Sequence, residues 1–180
     1  MTTRRFCLSL LPMLTASTLL AGCVMQSTYD ALNQKYMQLQ AAYSADQAEI
    51  VMLEGRLKVT IRDQILFPEG GWRITPQAEA VLRKMVPVLS TLTQTKVVVA
   101  GYTDTVPIGP ELRRDGIMSN IDLSSRRADG VANYLVRAGV PQTLVSAQGF
   151  GPDNPVASND TPEGRAKNRR IEVTLVGPGN

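Results

Sequence analysis

From residue 29 to 57 the side chains Tyr29, Leu32, Tyr36, Leu39, Tyr43, Asp46, Ile50, Leu53 and Leu57 recur at alternating spacings of three and four. That is the a/d spacing of a heptad repeat and predicts a helix, with Asp46 the one polar member of the stripe. Ser27 with Asp30 three positions on predicts a cap at its start, and no Pro interrupts it. Two readings of the stripe stand: a coiled coil, or a single amphipathic helix lying on a globular domain. Tyr at three seam positions packs less regularly than Ile or Leu. The flanking Asn33, Lys35, Gln40, Ala42, Gln47, Glu49, Glu54 and Arg56 offer few charges to fix a partner. A free helix from 24 to 57 would span about 50 Å, so its simplest use is as a spacer.

From residue 58 the pattern changes. Val59, Ile61, Ile65 and Phe67 alternate and predict a first strand, in which Asp63 shares the apolar parity and suggests a bulge. Pro68 and Gly70-Gly71 end it. Thr75-Pro76 reads as an N-cap with Pro at the first helical position, opening a helix through Val81, Leu82, Met85, Leu89 and Leu92 that Pro87 should kink. Lys96 to Tyr102 is a β-branched run suited to a buried central strand. After a loop rich in Pro and Gly, Ser124 is the expected N-cap of a helix with Ala128, Val131, Ala132 and Leu135 on one face, closed by Gly139 with Pro141 beyond. Leu144 to Gln148 and Arg170 to Val176 add two strands. Residues 58–176 therefore predict an α/β domain, a two-layer sandwich in the order β-α-β-α-β-β, preceded by a helical spacer over 23–57 and followed by a tail over 177–180.

The first 22 residues change the picture of charge and location. Arg4 and Arg5, an apolar centre from Leu8 to Leu20 and a small-residue exit form the layout of a secretory signal peptide over 1–22. Its exit, Leu20-Ala21-Gly22-Cys23, resembles the bacterial lipobox, in which the Cys is acylated and becomes the new N-terminus. The competing reading is an ordinary signal cleaved near a chance Cys. Val24 after the Cys, in place of Asp, implies by the same resemblance sorting to the outer membrane, with the domain in the periplasm. Several acyl chains on Cys23 would anchor the protein stably with no transmembrane helix. Of the formal net charge of +3, Arg4 and Arg5 leave with the signal, so the mature chain is nearly neutral and offers no footprint for nucleic acid. Cys7 leaves too and Cys23 becomes a thioether, so no disulfide is expected. The absence of His removes the usual general base and the commonest zinc ligand, and with no free thiol it excludes Ser-His and Cys-His catalysis. The expectation is a binding protein without catalytic residues, metal or cofactor, not an enzyme.

The candidate chemistry lies between Gly101 and Ala128. Thr103-Asp104 follows the apolar strand, and Arg127 belongs to the helix after the loop, so one acid and one Arg face each other across a strand and a helix. Such a pair suits a ligand carrying both an ammonium and a carboxylate. Taken singly, Asp104 reads as a turn-capping acid and Arg127 as a solvated helix charge. Helical amides from Ser124 to Arg127 would add partial positive charge. Gly149 and Gly151 read as turn glycines, since no phosphate-binding helix follows them.

Thr103-Asp104, Asn120, Leu123-Ser124, Arg127-Ala128, Gly139-Val140, Gly149-Phe150-Gly151, Pro155, Asn159, Gly164-Arg165 and Asn168-Arg169-Arg170-Ile171-Glu172 together resemble the OmpA-like peptidoglycan-binding family over residues 59 to 176. The resemblance implies that Asp104 and Arg127 grip the diaminopimelate of the peptidoglycan stem peptide. It also implies that Asn120, Leu123 and Thr103 line the pocket. Alternation along the last strand sends one of Arg169 and Arg170 toward the site and the other away, and sequence alone leaves open which. The segment Thr105 to Ser119 is longer than in the simplest members and looks like the flagellar stator branch, while Pro68 stands where an acid is usual. The function so implied is an outer-membrane lipoprotein that tethers the membrane to the wall. The alternative is a regulatory or assembly lipoprotein that recruits a homodimer mate, a periplasmic protein or secretion machinery through residues 29–57.

Overall fold

The computed structural model describes residues 18–53 and 55–177, with side chains from residue 29 onward. Most of the expected signal, the Cys23 side chain, Glu54 and the end of the tail therefore lie outside the described residues. In chain order the elements are α1 (Thr18–Ala42), β1 (Glu49–Leu53), β2 (Arg56–Arg62), α2 (Asp63–Leu66), α3 (Pro76–Arg83), α4 (Val86–Leu89), β3 (Lys96–Tyr102), α5 (Pro110–Arg114), α6 (Asn120–Arg137), β4 (Val145–Gly151), α7 (Pro162–Asn168) and β5 (Arg170–Val176). No described helix is long and apolar enough to cross a membrane.

The five strands form one sheet in the order β1-β2-β5-β3-β4, with only β3 and β4 parallel. The crossover between that parallel pair is α6, as a parallel connection requires. Alternation along the strands sends Leu57, Val59 and Ile61 of β2, Val97 and Val99 of β3, and Ile171, Val173 and Leu175 of β5 into one core beneath the helices. Against them pack Leu82, Met85 and Leu89 from α3, α4 and the link between them, and Ala128, Val131 and Leu135 from α6. Pro87 does break its helix: α3 stops at Arg83 and Pro87 sits in the first turn of α4.

Residues 23–57 do not form one helical spacer. The helix ends at Ala42, Asp46 lies in an exposed turn, and Glu49–Leu53 pairs antiparallel with β2 as a fifth strand. Gly55, at φ +71, makes the tight reversal that a helix through this point would forbid. Of the heptad stripe, Leu32, Leu39 and Tyr43 are buried in the domain core, and the Tyr43 hydroxyl donates to the Val81 carbonyl at 2.8 Å. Up to Leu39 the stripe is thus the face of a helix lying on the domain, and beyond Ala42 it passes into a turn and two strands. Because α1 already runs from Thr18, Ser27 does not start it.

Two other local expectations shift. The first strand stops at Arg62, and Asp63 opens one helical turn instead of a bulge. The N-cap of α6 is Ser119, five residues before Ser124, where the Ser119 hydroxyl accepts from Asp122 N–H and Asp122 accepts from Ser119 N–H in a capping box. Arg127 consequently lies beyond the first turn, and the amides around it are spent inside the helix. Gly149 is a strand residue: a Cβ there would collide with Ser125, and one at Gly101 with the Ser124 carbonyl. These two glycines let α6 lie directly on β3 and β4.

Candidate functional site

A cleft of about 1010 Å³ opens where β3, α6 and β5 end together, roofed by the Thr105–Ser119 segment. Asp104 leaves the end of β3, Arg127 projects from α6, Asp63 starts α2 and Arg169 precedes β5, and all four line it. The backbone ties two of these elements together, since Asp63 N–H donates to the Arg169 carbonyl at 3.1 Å.

The four charges form one chain of contacts. Arg169 Nη1 donates to Asp104 Oδ2 at 2.7 Å, Arg169 Nε lies 3.5 Å from Asp63 Oδ2, and Arg127 Nη1 donates to that same oxygen at 3.2 Å. Arg127 also grips the Gly71 carbonyl through Nε at 2.9 Å and Nη2 at 2.6 Å. Those three bonds engage three of its five N–H groups and leave two. Its guanidinium lies over the Phe67 ring, 4.9 Å from the centroid. Asp104 Oδ1 accepts from Val106 N–H at 3.0 Å, an Asx turn that orients its carboxylate.

Exposure grades these charges. Arg127 is 3% exposed and Asp104 6%, whereas the Arg169 side chain keeps a third of its surface open. Burial pushes the Asp63 carboxyl above its ordinary value, and the nearby Arg127 and Arg169 charges offset this only in part. Burial likewise draws Arg127 down, opposed by Asp63, although a guanidinium stays protonated throughout. At Arg169 burial works the same way but is outweighed by the hydrogen bond that it donates to Asp104 and by the charges of Asp63 and Asp104, which hold it up.

The remaining expected residues divide. Thr103, Asn120 and Leu123 line the cleft. Asn120, however, donates through Nδ2 to the carbonyls of Asp104 at 3.3 Å and Val106 at 3.0 Å, so its visible work is to pin the loop carrying Asp104. Leu123 joins Ile108 and Ile117, with Trp72 and Leu112 against them, in a small second core that holds the roof. Arg170 is not in the cleft. It shares strand parity with Glu172, bonds that carboxylate through Nε at 2.8 Å and lies 3.8 Å over the Tyr102 ring on the opposite sheet face. Arg169 is the arginine that faces the site. Sequence reasoning missed Asp63, and its signal was an acid at a core-parity position of an apolar run, where burial demands a partner. Among the described residues no cluster of His, Cys, Asp or Glu could hold a metal ion.

A model of the OmpA family matches residues 66–169. The chain is 34% identical over 145 residues to Probable lipoprotein YiaD of Escherichia coli, covering 78% of this chain and 63% of that protein. It is 38% identical over 123 residues to the peptidoglycan-binding protein ArfA of Mycobacterium tuberculosis, covering 68% of this chain and 35% of that one. The chain thus spans less than two thirds of the length of these relatives. The cell wall anchor of the T6SS from Pseudomonas aeruginosa superposes with a TM-score of 0.67 at 32% identity, over 74% of this chain and 90% of that one. A MotB-like protein from Desulfovibrio vulgaris shares the fold with a TM-score of 0.76 at 24% identity, over 87% and 98% of the two chains. With its strand order, its cleft charges and more than half its length inside one family match, the chain belongs to the OmpA family.

Proposed function

We propose that this cleft binds peptidoglycan through the diaminopimelate of the stem peptide, and that lipid on Cys23 joins that grip to the outer membrane. The observation that carries the reading is that a buried carboxylate, Asp104, and a buried guanidinium with unspent donors, Arg127, line one cleft. Diaminopimelate presents an ammonium and a carboxylate on a single side-chain carbon, the two charges such a cleft complements. Asp104 takes the ammonium and Arg127 the carboxylate. The peptidoglycan-binding relative and the cell wall anchor described above support the same ligand class. Recruitment of a partner through the heptad stripe has less support, because Leu32, Leu39 and Tyr43 are already packed within the domain.

The test is sedimentation with insoluble diaminopimelate-type wall. Truncating Arg127 to Ala would strand the Gly71 carbonyl and leave buried Asp63 with Arg169 alone, so it confuses folding with binding. Asp104→Asn and Arg127→Lys keep size while removing the carboxylate charge and the guanidinium fork. Each should weaken wall binding at least tenfold, as loss of a buried charged contact worth about 2 to 5 kcal/mol implies. Unchanged sedimentation of both folded variants would refute the site. The anchor is tested separately: Cys23→Ser should leave an unprocessed precursor or release the protein from outer membranes, and palmitate labelling that survives the substitution would refute it.

A further inference from the structure

We infer that Asp63 is a positioning residue that joins Arg127 and Arg169 into one carboxylate-binding pair and so sets the preference for a ligand bearing a carboxylate beside its ammonium. The inference rests on the reading of the cleft above and adds to it a residue that lies before the matched segment. Asp63 Oδ2 is the one oxygen that both guanidinia approach, Arg127 at 3.2 Å and Arg169 at 3.5 Å. Two cations side by side repel, and in a buried cleft a shared anion is what lets them stand together. Its backbone N–H holds the Arg169 carbonyl, so the same residue fixes both the main chain and the side chain of Arg169.

The other half of the arrangement is the state of Asp104. Arg169 Nη1 occupies Asp104 Oδ2, where the ligand ammonium is to go. Arg169 is the most exposed of the four charges, its side chain open by 33% against 4% for Arg127. When the ammonium takes its place on Asp104, Arg169 stays tied to Asp63 and turns its fork, with that of Arg127, to the ligand carboxylate. Every charge then keeps an opposite partner before and after binding. A lysine-type stem peptide also brings the ammonium but has no carboxylate to replace the Asp104 contact that Arg169 gives up, so the exchange disfavours it.

The experiment is calorimetry on the full chain carrying Cys23→Ser, with a tripeptide ending in diaminopimelate and the same tripeptide ending in lysine. The wild type should prefer diaminopimelate by about tenfold or more, the usual scale for one charged contact. In Asp63→Asn the diaminopimelate affinity should fall about tenfold while the lysine affinity moves less than about twofold, so that the preference collapses. Asp63→Glu, which keeps the charge, should restore part of it. Arg169→Lys, which keeps charge but not the fork, should also lose preference and guards against misfolding of the Asp63 variants, checked by thermal melting. Parallel loss on both peptides would assign Asp63 to folding or to the ammonium and overturn the inference, as would an unchanged ratio. A wild type that binds neither peptide would instead overturn the cleft reading itself.

Discussion

Asp63 is buried at a cost that its two arginines offset only in part, and this makes it one residue through which pH acts on the domain. Its folded carboxyl holds a proton more readily than the unfolded one, whose ordinary value is 3.8. Between 3.8 and that raised value the native state binds more protons than the unfolded chain, so Asp63 adds stability as pH falls and loses it as pH rises through its folded value. Urea unfolding at stepped pH should show wild type losing stability relative to Asp63→Asn as pH rises through that window. The opposite slope would mean that pairing with Arg127 and Arg169 outweighs burial. At this scale Asp104 and Arg127 were legible from residue type and motif. Asp63 was not, because an acid at strand parity reads as a bulge until the chain is seen to leave the sheet there.

At the scale of elements, the position of Arg127 depends on how closely α6 approaches the sheet. Gly101 permits that approach, since any Cβ would meet the Ser124 backbone, which has no rotamer with which to give way. Gly101→Ala should therefore destabilise the domain by about 1 to 3 kcal/mol, as overpacking does, and weaken wall binding through a displaced α6. Denaturant midpoints and sedimentation with wall check the two effects, and an unchanged midpoint would show that the helix has slack. Strands β3 and β5 fell where the β-branched runs predicted, because a buried strand is written locally in its side chains. The start of α6 did not, since Ser119 and Ser124 are both acceptable caps and only the roof segment decides between them.

For the whole molecule, the docked helix alters what a tether means. Leu39 is fully buried and packs in the same core as the sheet, which decides between the two readings of its segment for a helix lying on the domain. Leu39→Ala should cost about 2 to 5 kcal/mol of domain stability in equilibrium unfolding. A free spacer would lose nothing. On the proposed lipid anchor, the nine helical steps from Cys23 to the buried Leu32 reach only about 14 Å, so the domain rests near the membrane instead of 50 Å away.

The sequence by itself determined the periods, and with them the sheet-forming runs, the amphipathic helices, the α/β class and the oppositely charged residues that the fold brings to one cleft. Those properties are local, carried by neighbours within one or two turns or along a few strand residues. What only the tertiary structure decided was which partners these elements meet. The heptad spacing marks an apolar face equally well whether a second helix or a sheet covers it. Asp63 with Arg127 and Asp104 with Arg169 stand 64 and 65 residues apart in the chain, so their pairing is a consequence of packing that no local pattern encodes. The choice between Arg169 and Arg170 turned on a single step of strand parity, which becomes definite only when the register of β5 between β2 and β3 is set.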